Sequence, residues 1–305
     1  MIHSSPSHEA AVTHALSVDL EDWFHASNMA RAVPRHRWET VPSRLEIGTQ
    51  RLLTLFAKHQ VRATFFALGW IAERFPELIA RIVDAGHHVE SHGYDHRLVF
   101  TLTPDELRRD VRRSLDAIER ATGRRPTGFR AASFSIDPRC PWAFDVLAEE
   151  GIAYDSSVFP VYHPRYGWPR FSRHPCWAPV TNGRRIKEFP LTTLAVPGCN
   201  LGVAGGAYLR LLPLALLQYA FRRSAARGRP GILYVHPWEL DPDPPRVRIG
   251  HWGGWTHYAN LSSSERKLDT LLGAFAWAPV AEVLDAYGPE LLPAGLEVAH
   301  ADGLT

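Results

Sequence analysis

The chain contains 305 residues, of which 45% are apolar and 22% charged, and its formal net charge is +2. This composition is that of an ordinary globular protein and argues against intrinsic disorder. The balanced charge argues against a nucleic-acid or anionic-membrane partner. The three cysteines are far apart and never form a Cys-x-x-Cys pair, which argues against a disulfide framework and a cysteine zinc site.

The N-terminal segment and the longest apolar runs indicate where in the cell the protein is expected. Residues 1–12 are polar and contain no apolar signal core. No window reaches the roughly 18 apolar residues that a membrane-spanning helix needs. We therefore expect no signal peptide, no membrane span and a cytoplasmic location.

The first half of the chain alternates short apolar runs with longer amphipathic runs. The apolar runs predict strands at 15–18, 61–68, 88–91, 127–131 and 152–154, and the amphipathic runs predict helices at 43–59, 70–85, 103–121 and 141–150. The helix at 103–121 begins with a capping box of Thr103 and Glu106, with Pro104 at its first position. This alternation predicts parallel β/α units and an α/β fold.

The second half of the chain begins with an elaborated loop region at 156–208, with strands near 187–193. It continues with a predicted helix at 211–226, a buried strand at 231–235 and helices at 262–275 and 281–287. No repeat and no low-complexity linker interrupts the sequence. We therefore expect one domain over 1–305, with a core at 13–240 and an extension at 241–305 packed on it.

Polar side chains stand at the ends of four predicted strands. They are the acidic run at 19–22, the segment 92–96 with its two histidines, Arg130 and His236. Because the carboxyl ends of parallel strands meet at one edge of a sheet or barrel, we expect these side chains to lie together.

Two histidines and a carboxylate suggest a metal site. His92 and His96 are four residues apart, one helical turn, so both imidazoles can face one ion. Imidazole suits Zn²⁺, Ni²⁺ or Co²⁺, and carboxylate oxygen is a common third ligand, which the acidic run can supply. The alternative for the acidic run is a solvated loop with a helix cap. His236 is either a structural histidine or a general acid, and Arg130 is either a structural ion pair or the partner of a catalytic carboxylate.

Six motifs together resemble a known family. In chain order they are Ser-Val-Asp-Leu-Glu-Asp-Trp, Thr-Phe-Phe-Ala-Leu-Gly, Glu-Ser-His-Gly-Tyr-Asp-His, Gly-Phe-Arg-Ala-Ala-Ser-Phe-Ser-Ile, Tyr-Asp-Ser-Ser and Leu-Tyr-Val-His-Pro. The chain resembles, over 13–290, the polysaccharide deacetylases with the NodB homology domain, carbohydrate esterase family 4. The Asp-x-Glu-Asp-aromatic start and the C-terminal stretch 256–261 are similar to the branch associated with exopolysaccharide biosynthesis.

The resemblance implies a distorted (β/α) barrel that removes N-acetyl groups from the amino sugars of a polysaccharide or its precursor. It also implies a divalent metal, Zn²⁺ first and Co²⁺, Ni²⁺ or Mn²⁺ as alternatives, held by one acidic residue and two histidines. Carried over by position, His92 and His96 are ligands. Asp19 is the catalytic base, His236 the general acid, and Arg130 orients the base.

The first motif departs from the family because Leu20, not a second aspartate, follows Asp19. Strand alternation places Glu21 on the same face as Asp19. Asp22 is more typical of the family's ligand but requires the strand to have ended, so both remain candidates. A second departure follows Arg130, where the proline often seen in the family is missing, so the floor of the substrate groove is expected to differ.

Residues that flank these motifs are candidates for substrate contact. Trp23, Tyr94 and Trp238 could stack on sugar rings, and Asp155 is a further candidate, with a turn-forming or outer-sphere role as the alternative. Two other functions stay open at this point. One is a metal-independent amidohydrolase of the same fold, and the other is a non-catalytic carbohydrate-binding protein. The oligomeric state, the sugar and the cellular metal are not predicted.

Overall fold

The computed structural model describes residues 12–247, 257–288 and 291–294. The strands in these ranges are β1 (Thr13–Leu20), β2 (Thr64–Ala67), β3 (His88–Ser91), β4 (Gly128–Phe129), β5 (Tyr154–Asp155), β6 (Cys176–Trp177), β7 (Lys187–Glu188), β8 (Thr193–Val196), β9 (Cys199–Gly202), β10 (Ile232–Val235), β11 (Ala276–Ala278) and β12 (Leu292–Pro293). Residues 1–11, on which the expectation of no signal peptide rests, and Thr256 of the C-terminal motif lie outside the described residues.

The α-helices in the same ranges are α1 (Leu45–His59), α2 (Gly69–Arg74), α3 (Pro76–Asp84), α4 (Pro104–Thr122), α5 (Ala143–Glu149), α6 (Ala207–Leu211), α7 (Leu214–Ala225), α8 (Ser264–Ala274) and α9 (Val280–Tyr287). Short 3₁₀ helices lie at Arg35–Arg37, Val99–Thr101, Ala132–Phe134, Pro237–Leu240 and Leu261–Ser263. Within these described ranges no helix is long and apolar enough to cross a membrane.

Ten strands form one sheet, in which β10, β1, β2, β3, β4, β5, β7, β6 and β12 are successive neighbours and β11 also pairs with β1. The pairings along β10 to β7 are parallel, and β6 joins β7 antiparallel. The parallel strands curl into a half-barrel, which confirms the predicted α/β fold of the distorted-barrel type.

Strand β1 pairs with β10, β2 and β11 and is buried at every residue from His14 to Leu20. Its register places Val18 beside Val235 of β10 and beside Phe65 of β2. A parallel strand covered on both faces has no need of alternating polarity, so apolar residues can follow one another along it, as Ala15 and Leu16 do. The end of β1 is buried as well, which fixes the position of Asp19.

A proline divides the helix predicted at 70–85, and another precedes α7, which corresponds to the helix predicted at 211–226. Pro76 opens α3, and the residue before it, Phe75, adopts φ −127° and ψ 53°, which ends α2. Proline disfavours the helical conformation in the residue that precedes it, so the amphipathic pattern at 70–85 continues while the backbone turns. Pro213 separates α6 from α7 in the same way. By contrast, the capping box of Thr103 and Glu106 forms as predicted.

The C-terminal part of the chain contacts the barrel at several points. Strand β11 pairs in parallel with β1, with Ala276 opposite Thr13 and Ala278 opposite Ala15. Lys267 on α8 donates to the backbone carbonyls of Leu209, Arg210 and Leu212, over 3.0, 2.8 and 2.8 Å. These contacts join α8 to the segment that carries α6.

Candidate active site

The carboxyl ends of β1, β3, β4 and β10 bring the candidate residues together. Asp19 is the second-last residue of β1 and Glu21 comes just after the strand, His92 follows β3, Arg130 follows β4 and His236 follows β10. All five side chains are buried or nearly so. The side chains that were predicted to meet at this edge therefore do meet, and the rule that parallel strands share their carboxyl edge accounts for it.

Glu21, His92 and His96 form a compact triad. The Oε1 atom of Glu21 lies 2.9 Å from Nε2 of His92 and 3.0 Å from Nε2 of His96. All three side chains are buried, and their ligand atoms are close enough to hold one metal ion. Burial would raise the pKa of the Glu21 carboxyl, but the charges and hydrogen bonds of His96 and His92 hold it well below its usual range.

The segment that carries the two histidines is a loop, not the helical turn that its spacing suggested. Gly93 has φ +75°, and a Cβ atom there would lie 2.9 Å from Oδ2 of Asp110. His96 itself adopts a left-handed φ of +58°. Non-glycine residues rarely adopt this conformation, and such residues concentrate at functional sites. The loop thus delivers both imidazoles to one carboxylate by tight turns rather than by helical periodicity.

The hydrogen-bond partners of His92 are consistent with a cation in the triad. Nδ1 of His92 lies 2.8 Å from the carbonyl oxygen of Arg130. A carbonyl oxygen only accepts hydrogen bonds, so Nδ1 carries the proton, and in the neutral ring Nε2 presents a lone pair to Glu21. Two lone pairs at 2.9 Å repel each other unless a proton or a metal ion lies between them. Two imidazole nitrogens and one carboxylate also form a donor set typical of zinc.

Asp22 turns away from the triad. Its carboxylate accepts from the backbone N–H groups of Trp23 at 2.9 Å and Arg44 at 3.2 Å, and from the hydroxyl of Ser43. Because α1 begins one residue after Arg44, this carboxylate satisfies backbone donors at the start of that helix. Of the two acidic residues that the sequence left open, the structure brings Glu21 to the histidines.

Asp19 is held in a buried ion pair beside the triad. Nη1 of Arg130 donates to Oδ1 of Asp19 over 2.7 Å and to the Ser17 hydroxyl over 2.9 Å. The rest of the guanidinium is bound by the carbonyl and hydroxyl oxygens of Ser156, at 3.0 and 2.9 Å, and it lies over the ring of Phe66. Arg130 therefore fixes one carboxylate oxygen of Asp19 and leaves Oδ2 to face the cavity side, 3.9 Å from Nε2 of His236.

His236 is held by a carboxylate that the sequence analysis did not single out. Its Nδ1 lies 3.0 Å from Oε2 of Glu239, which also accepts from the His236 backbone N–H at 3.0 Å. Burial alone would lower the pKa of His236, but the negative charges of Glu239, Glu21 and Asp19 raise it to about 9. His236 is thus a protonated imidazole at neutral pH, with Nε2 directed toward Asp19.

A buried arginine continues this chain of contacts. Nε of Arg210 donates to Oε1 of Glu239 over 2.8 Å, and its Nη1 donates to the backbone carbonyls of His257 and Ala259, each over 3.0 Å. Burial would raise the pKa of Glu239, but His236 and Arg210 lower it to about 2. The sequence could have indicated Glu239, because it lies three residues after His236. Arg210 lies inside a leucine-rich run, where nothing in the sequence indicates a role in the site.

A cavity of about 590 Å³ opens beside these residues and has the size of a typical ligand pocket. Asp19, Glu21, His96, His236 and Glu239 line one part of it. Trp238 also lines it, stacked against the imidazole of His257 with ring centroids 4.3 Å apart. The further aromatic lining residues are Phe100, Phe134, Tyr166, Tyr208 and Tyr234.

Three predicted substrate contacts lie elsewhere in the structure. Trp23 is buried, and its indole N–H donates to the carbonyl of Pro42 over 3.2 Å. Tyr94 donates to Glu73 over 2.6 Å. Asp155 is fully buried and accepts from the Ser157 hydroxyl over 2.6 Å. None of the three lines the cavity, because core packing and local hydrogen bonds use these side chains, so Trp238 alone of the four candidates reaches it.

Two family models match consecutive parts of the chain. Residues 40–147 match a family described as polysaccharide deacetylase, and residues 156–285 match a domain of unknown function, DUF3473. His92, His96 and Arg130 lie in the first segment, and Arg210, His236 and Glu239 lie in the second. Asp19 and Glu21 precede both.

Curated relatives carry deacetylase names. The chain is 35% identical over 132 residues to the peptidoglycan deacetylase of Helicobacter pylori, a match that covers 40% of this chain and 42% of the relative. It is 32% identical over 122 residues to the chitooligosaccharide deacetylase of Bradyrhizobium sp., covering 40% of this chain and 53% of the relative. The matched region spans about half of these relatives or less. Together with the family model, these relatives support a relationship to the polysaccharide deacetylases.

Solved structures share the fold over nearly the whole chain. A probable polysaccharide deacetylase from Pseudomonas aeruginosa PAO1 superimposes with a TM-score of 0.59 at 17% identity, covering 92% of each chain. The Puue allantoinase superimposes with a TM-score of 0.60 at 16% identity, covering 91% of this chain and 90% of the other. At these identities the likeness establishes the curled α/β half-barrel and nothing about substrate.

Proposed function

We propose that the protein is a metal-dependent hydrolase that removes N-acetyl groups from amino sugars of a polysaccharide or its precursor. The observation that carries the proposal is the position of Asp19, paired through one oxygen with Arg130 and facing His236 with the other, next to the Glu21 triad. A base, an acid and a metal-ligand set thus share one wall of a cavity. The deacetylase relatives support the same activity.

Glu21, His92 and His96 are the residues that would hold the metal ion. Zn²⁺ is the expected ion from this donor set, and Co²⁺, Ni²⁺ and Mn²⁺ are alternatives. When bound, such an ion supplies Lewis acidity for an amide carbonyl and for water. Asp22 is left out of the proposal because its carboxylate is bound at the start of α1.

The protein's own residues move the protons. Oδ2 of Asp19, the oxygen that Arg130 does not bind, takes a proton from water as the water oxygen adds to the acetamide carbonyl carbon. Protonated His236 then gives its proton to the amide nitrogen as the C–N bond breaks, which releases acetate and a free amine. Arg130 orients Asp19, and Glu239 keeps His236 protonated.

We also propose that the protein acts in exopolysaccharide biosynthesis and that its C-terminal extension contributes to the site. The acidic start of the first motif, 19–23, and the stretch 256–261 support the first part. The second part is supported by the contacts of His257 and Ala259 with Arg210, through which residues 241–305 would serve as an extension that completes the acid side of the site.

Two other functions are alternatives to the deacetylase: a metal-independent amidohydrolase of the same fold, acting on a small cyclic amide, and a non-catalytic carbohydrate-binding protein. The intact Glu21, His92 and His96 triad favours the deacetylase over a metal-independent amidohydrolase, and the paired Asp19 and His236 favour it over a non-catalytic carbohydrate-binding protein.

Acetate release from N-acetylated oligosaccharides tests the proposal. The wild-type protein should release acetate, and Asp19→Asn should reduce kcat by about 10²- to 10⁴-fold, the usual contribution of a general base. Asp116→Asn, which removes a carboxylate from the exposed face of α4, is the matched control and should keep full activity. Full activity of Asp19→Asn, or turnover of a cyclic amide without acetate release, would contradict the proposal.

A further inference from the structure

The charged side chains of the cavity are unevenly distributed. Its carboxylates, Asp19, Glu21 and Glu239, all belong to the catalytic part and are bound there by arginine or histidine side chains. Away from these groups the lining residues include Arg139 and Arg165 and, within the described ranges, no carboxylate. The cavity therefore has a cationic part that is distinct from the catalytic one.

Arg139 is a fixed part of this cationic surface. Its guanidinium lies 3.5 Å from the ring centroid of Phe100 and forms an ion pair with the buried Asp137. Nη2 of Arg139 also donates to the backbone carbonyl of Arg165 over 3.3 Å. The charge of Arg139 is thus balanced by Asp137, and the side chain fixes the backbone position of Arg165.

Arg165 carries a positive charge that has no such partner. Its side chain is exposed at the cavity, and in the described part of the chain it forms no ion pair. Its backbone N–H donates to Nδ1 of His163 over 3.3 Å, and the His163 ring stacks on Tyr166 with centroids 3.8 Å apart. An unbalanced charge at the wall of a cleft raises the local potential and attracts anionic ligands.

The loop that presents Arg165, residues 160–167, is held in one conformation. Gly167 has φ +113°, and a Cβ atom there would lie 2.3 Å from the carbonyl oxygen of Val161, so only glycine fits. The Asn200 side-chain amide donates to the carbonyl of Pro160 over 2.8 Å, and Tyr166 stacks on Phe159 at an interplanar angle of 4°. This order lowers the entropic cost of binding a ligand with Arg165.

The same loop also exposes an aromatic ring. Tyr162 is 90% exposed and is the neighbour of His163, which lines the cavity. An exposed tyrosine offers a stacking surface for a sugar ring. The loop thus combines a cation that lines the cavity with an exposed aromatic ring.

We propose that residues 160–167 bind an anionic group of the substrate, so that the preferred substrate is an acidic N-acetylated glycan. Arg165 binds the oxyanion through its guanidinium, whose planar fork matches a carboxylate or a phosphate. The anionic group sits on a part of the glycan away from the acetamide that Asp19 and His236 act on. This inference rests on the proposed deacetylase function and adds the class of glycan to it.

The test compares matched oligosaccharides with three forms of the protein. The substrates are a neutral N-acetylglucosamine tetramer, a tetramer in which N-acetylglucosamine alternates with a uronic acid, and the neutral tetramer with a terminal phosphate. The proteins are the wild type, Arg165→Gln and Arg170→Gln. Arg170 is an exposed arginine that does not line the cavity, so its variant makes the same charge change elsewhere.

The wild type should have a kcat/KM about five- to tenfold higher for an acidic tetramer than for the neutral one. Arg165→Gln should lose this preference through KM and keep its rate on the neutral tetramer, and Arg170→Gln should behave as wild type. Ionic strength near 1 M, where charges are screened within about 3 Å, should also remove the preference. Comparing the uronic acid tetramer with the phosphorylated tetramer shows whether a carboxylate or a phosphate is recognised.

Other outcomes separate the two proposals. Equal turnover of all tetramers, with no effect of Arg165→Gln, would overturn the anionic subsite and leave the deacetylase intact. If no tetramer releases acetate, the binding of each tetramer to Asp19→Asn is measured by tryptophan fluorescence. If the acidic tetramer binds more strongly than the neutral one, and this difference depends on Arg165, the anionic subsite is supported and the deacetylase function is contradicted. If both tetramers bind equally, the subsite is contradicted as well.

Discussion

Glu21 and Asp22 are adjacent carboxylates with different tasks. Glu21 faces His92 and His96, whereas Asp22 binds backbone N–H groups at the start of α1. The difference follows from the end of β1, since a strand directs successive side chains to opposite faces and Glu21 stays on the face of Asp19. The sequence alone left this choice open because it does not show whether the alternation continues past Leu20.

This assignment predicts opposite effects for two similar substitutions. Glu21→Gln should weaken metal binding by more than about 100-fold, beyond what changes around a ligand usually cause, with little effect on folding. Asp22→Asn should keep the metal and lower the free energy of unfolding by about 1–3 kcal/mol, because it leaves buried backbone donors without an ionised acceptor. Metal analysis and urea denaturation of both variants check this. Metal loss in Asp22→Asn with retention in Glu21→Gln would reverse the assignment.

Aromatic residues that flank the motifs differ in what they contact. Trp23, Tyr94 and Trp238 all flank motifs in the sequence, yet only Trp238 lines the cavity. A sequence motif fixes the backbone near a site, whereas the direction of each side chain depends on what packs against it. The aromatics of the cavity wall, such as Tyr166 and Tyr208, lie in the long region 156–208, where no periodic pattern places them.

At the scale of elements, the short helix Pro237–Leu240 positions the acid. His236 is the residue that precedes it, Glu239 is its third residue, and Arg210 of α6 donates to the Glu239 carboxylate. The three residues form a chain of contacts, and each step is 3.0 Å or shorter. The helix therefore sets both the direction and the protonation of His236.

Glu239→Gln should move the alkaline limb of the pH–rate profile. Burial lowers the pKa of His236, and the negative charges of Glu239, Glu21 and Asp19 together raise it to about 9, with the largest contribution from Glu239. Since the proposed reaction needs the protonated imidazole, activity falls as pH rises through this pKa. Removing the charge should shift that fall to lower pH by about one unit or more. The measurement is kcat/KM for acetate release across the pH range.

Asp241→Asn is the matched control for this shift. Asp241 follows the same helix and pairs with Arg44, and it has no contact with His236. Its variant should keep the alkaline limb of the wild type. An unchanged limb in Glu239→Gln would show that Glu239 does not control the acid.

Elements with a strong local signal were predicted well. The strand His88–Ser91 has the predicted bounds, and the capping box starts α4 at Pro104. The break at Phe75 was missed because periodicity continues across it, and β6, β9, β11 and β12 are too short or too polar to show a pattern. Arg210 was missed because its role depends on Glu239 and on carbonyls 47 and 49 residues away.

On the scale of the whole molecule, several buried histidines affect stability. Burial lowers the pKa of His14 to about 4 and the pKa values of His25 and His257 to about 3. Each is neutral in the folded chain but has a pKa near 6.5 when unfolded, so between these values the unfolded state binds more protons. The stability from these groups is complete above pH 6.5 and is lost as pH falls.

The metal-free protein should therefore lose stability between about pH 6 and pH 4. Each such group contributes a slope of up to about 1.4 kcal/mol per pH unit. Urea denaturation at successive pH values measures the total slope, and His257→Gln should lower it by about this one contribution relative to wild type. A free energy of unfolding that is constant from pH 7 to pH 4 would contradict this account.

The whole chain is also needed to assemble the site. The metal histidines and Arg130 lie in the segment related to polysaccharide deacetylases, and His236, Glu239 and Arg210 lie in the segment matched by the domain of unknown function. The half-barrel joins them because β10 pairs with β1, which carries Asp19. The sequence predicted this convergence, since it depends only on parallel strands sharing their carboxyl edge.

Metal titration of the chelator-treated protein, with acetate release followed on the same samples, tests the central claim most directly. We predict that activity on an N-acetylated oligosaccharide is absent after chelation, rises linearly with added Zn²⁺ and levels off at one ion per chain. His92→Ala should bind no ion in this range and stay inactive. Full acetate release by protein that binds no metal, or one tightly bound ion with no acetate release from any N-acetylated glycan, would contradict the account.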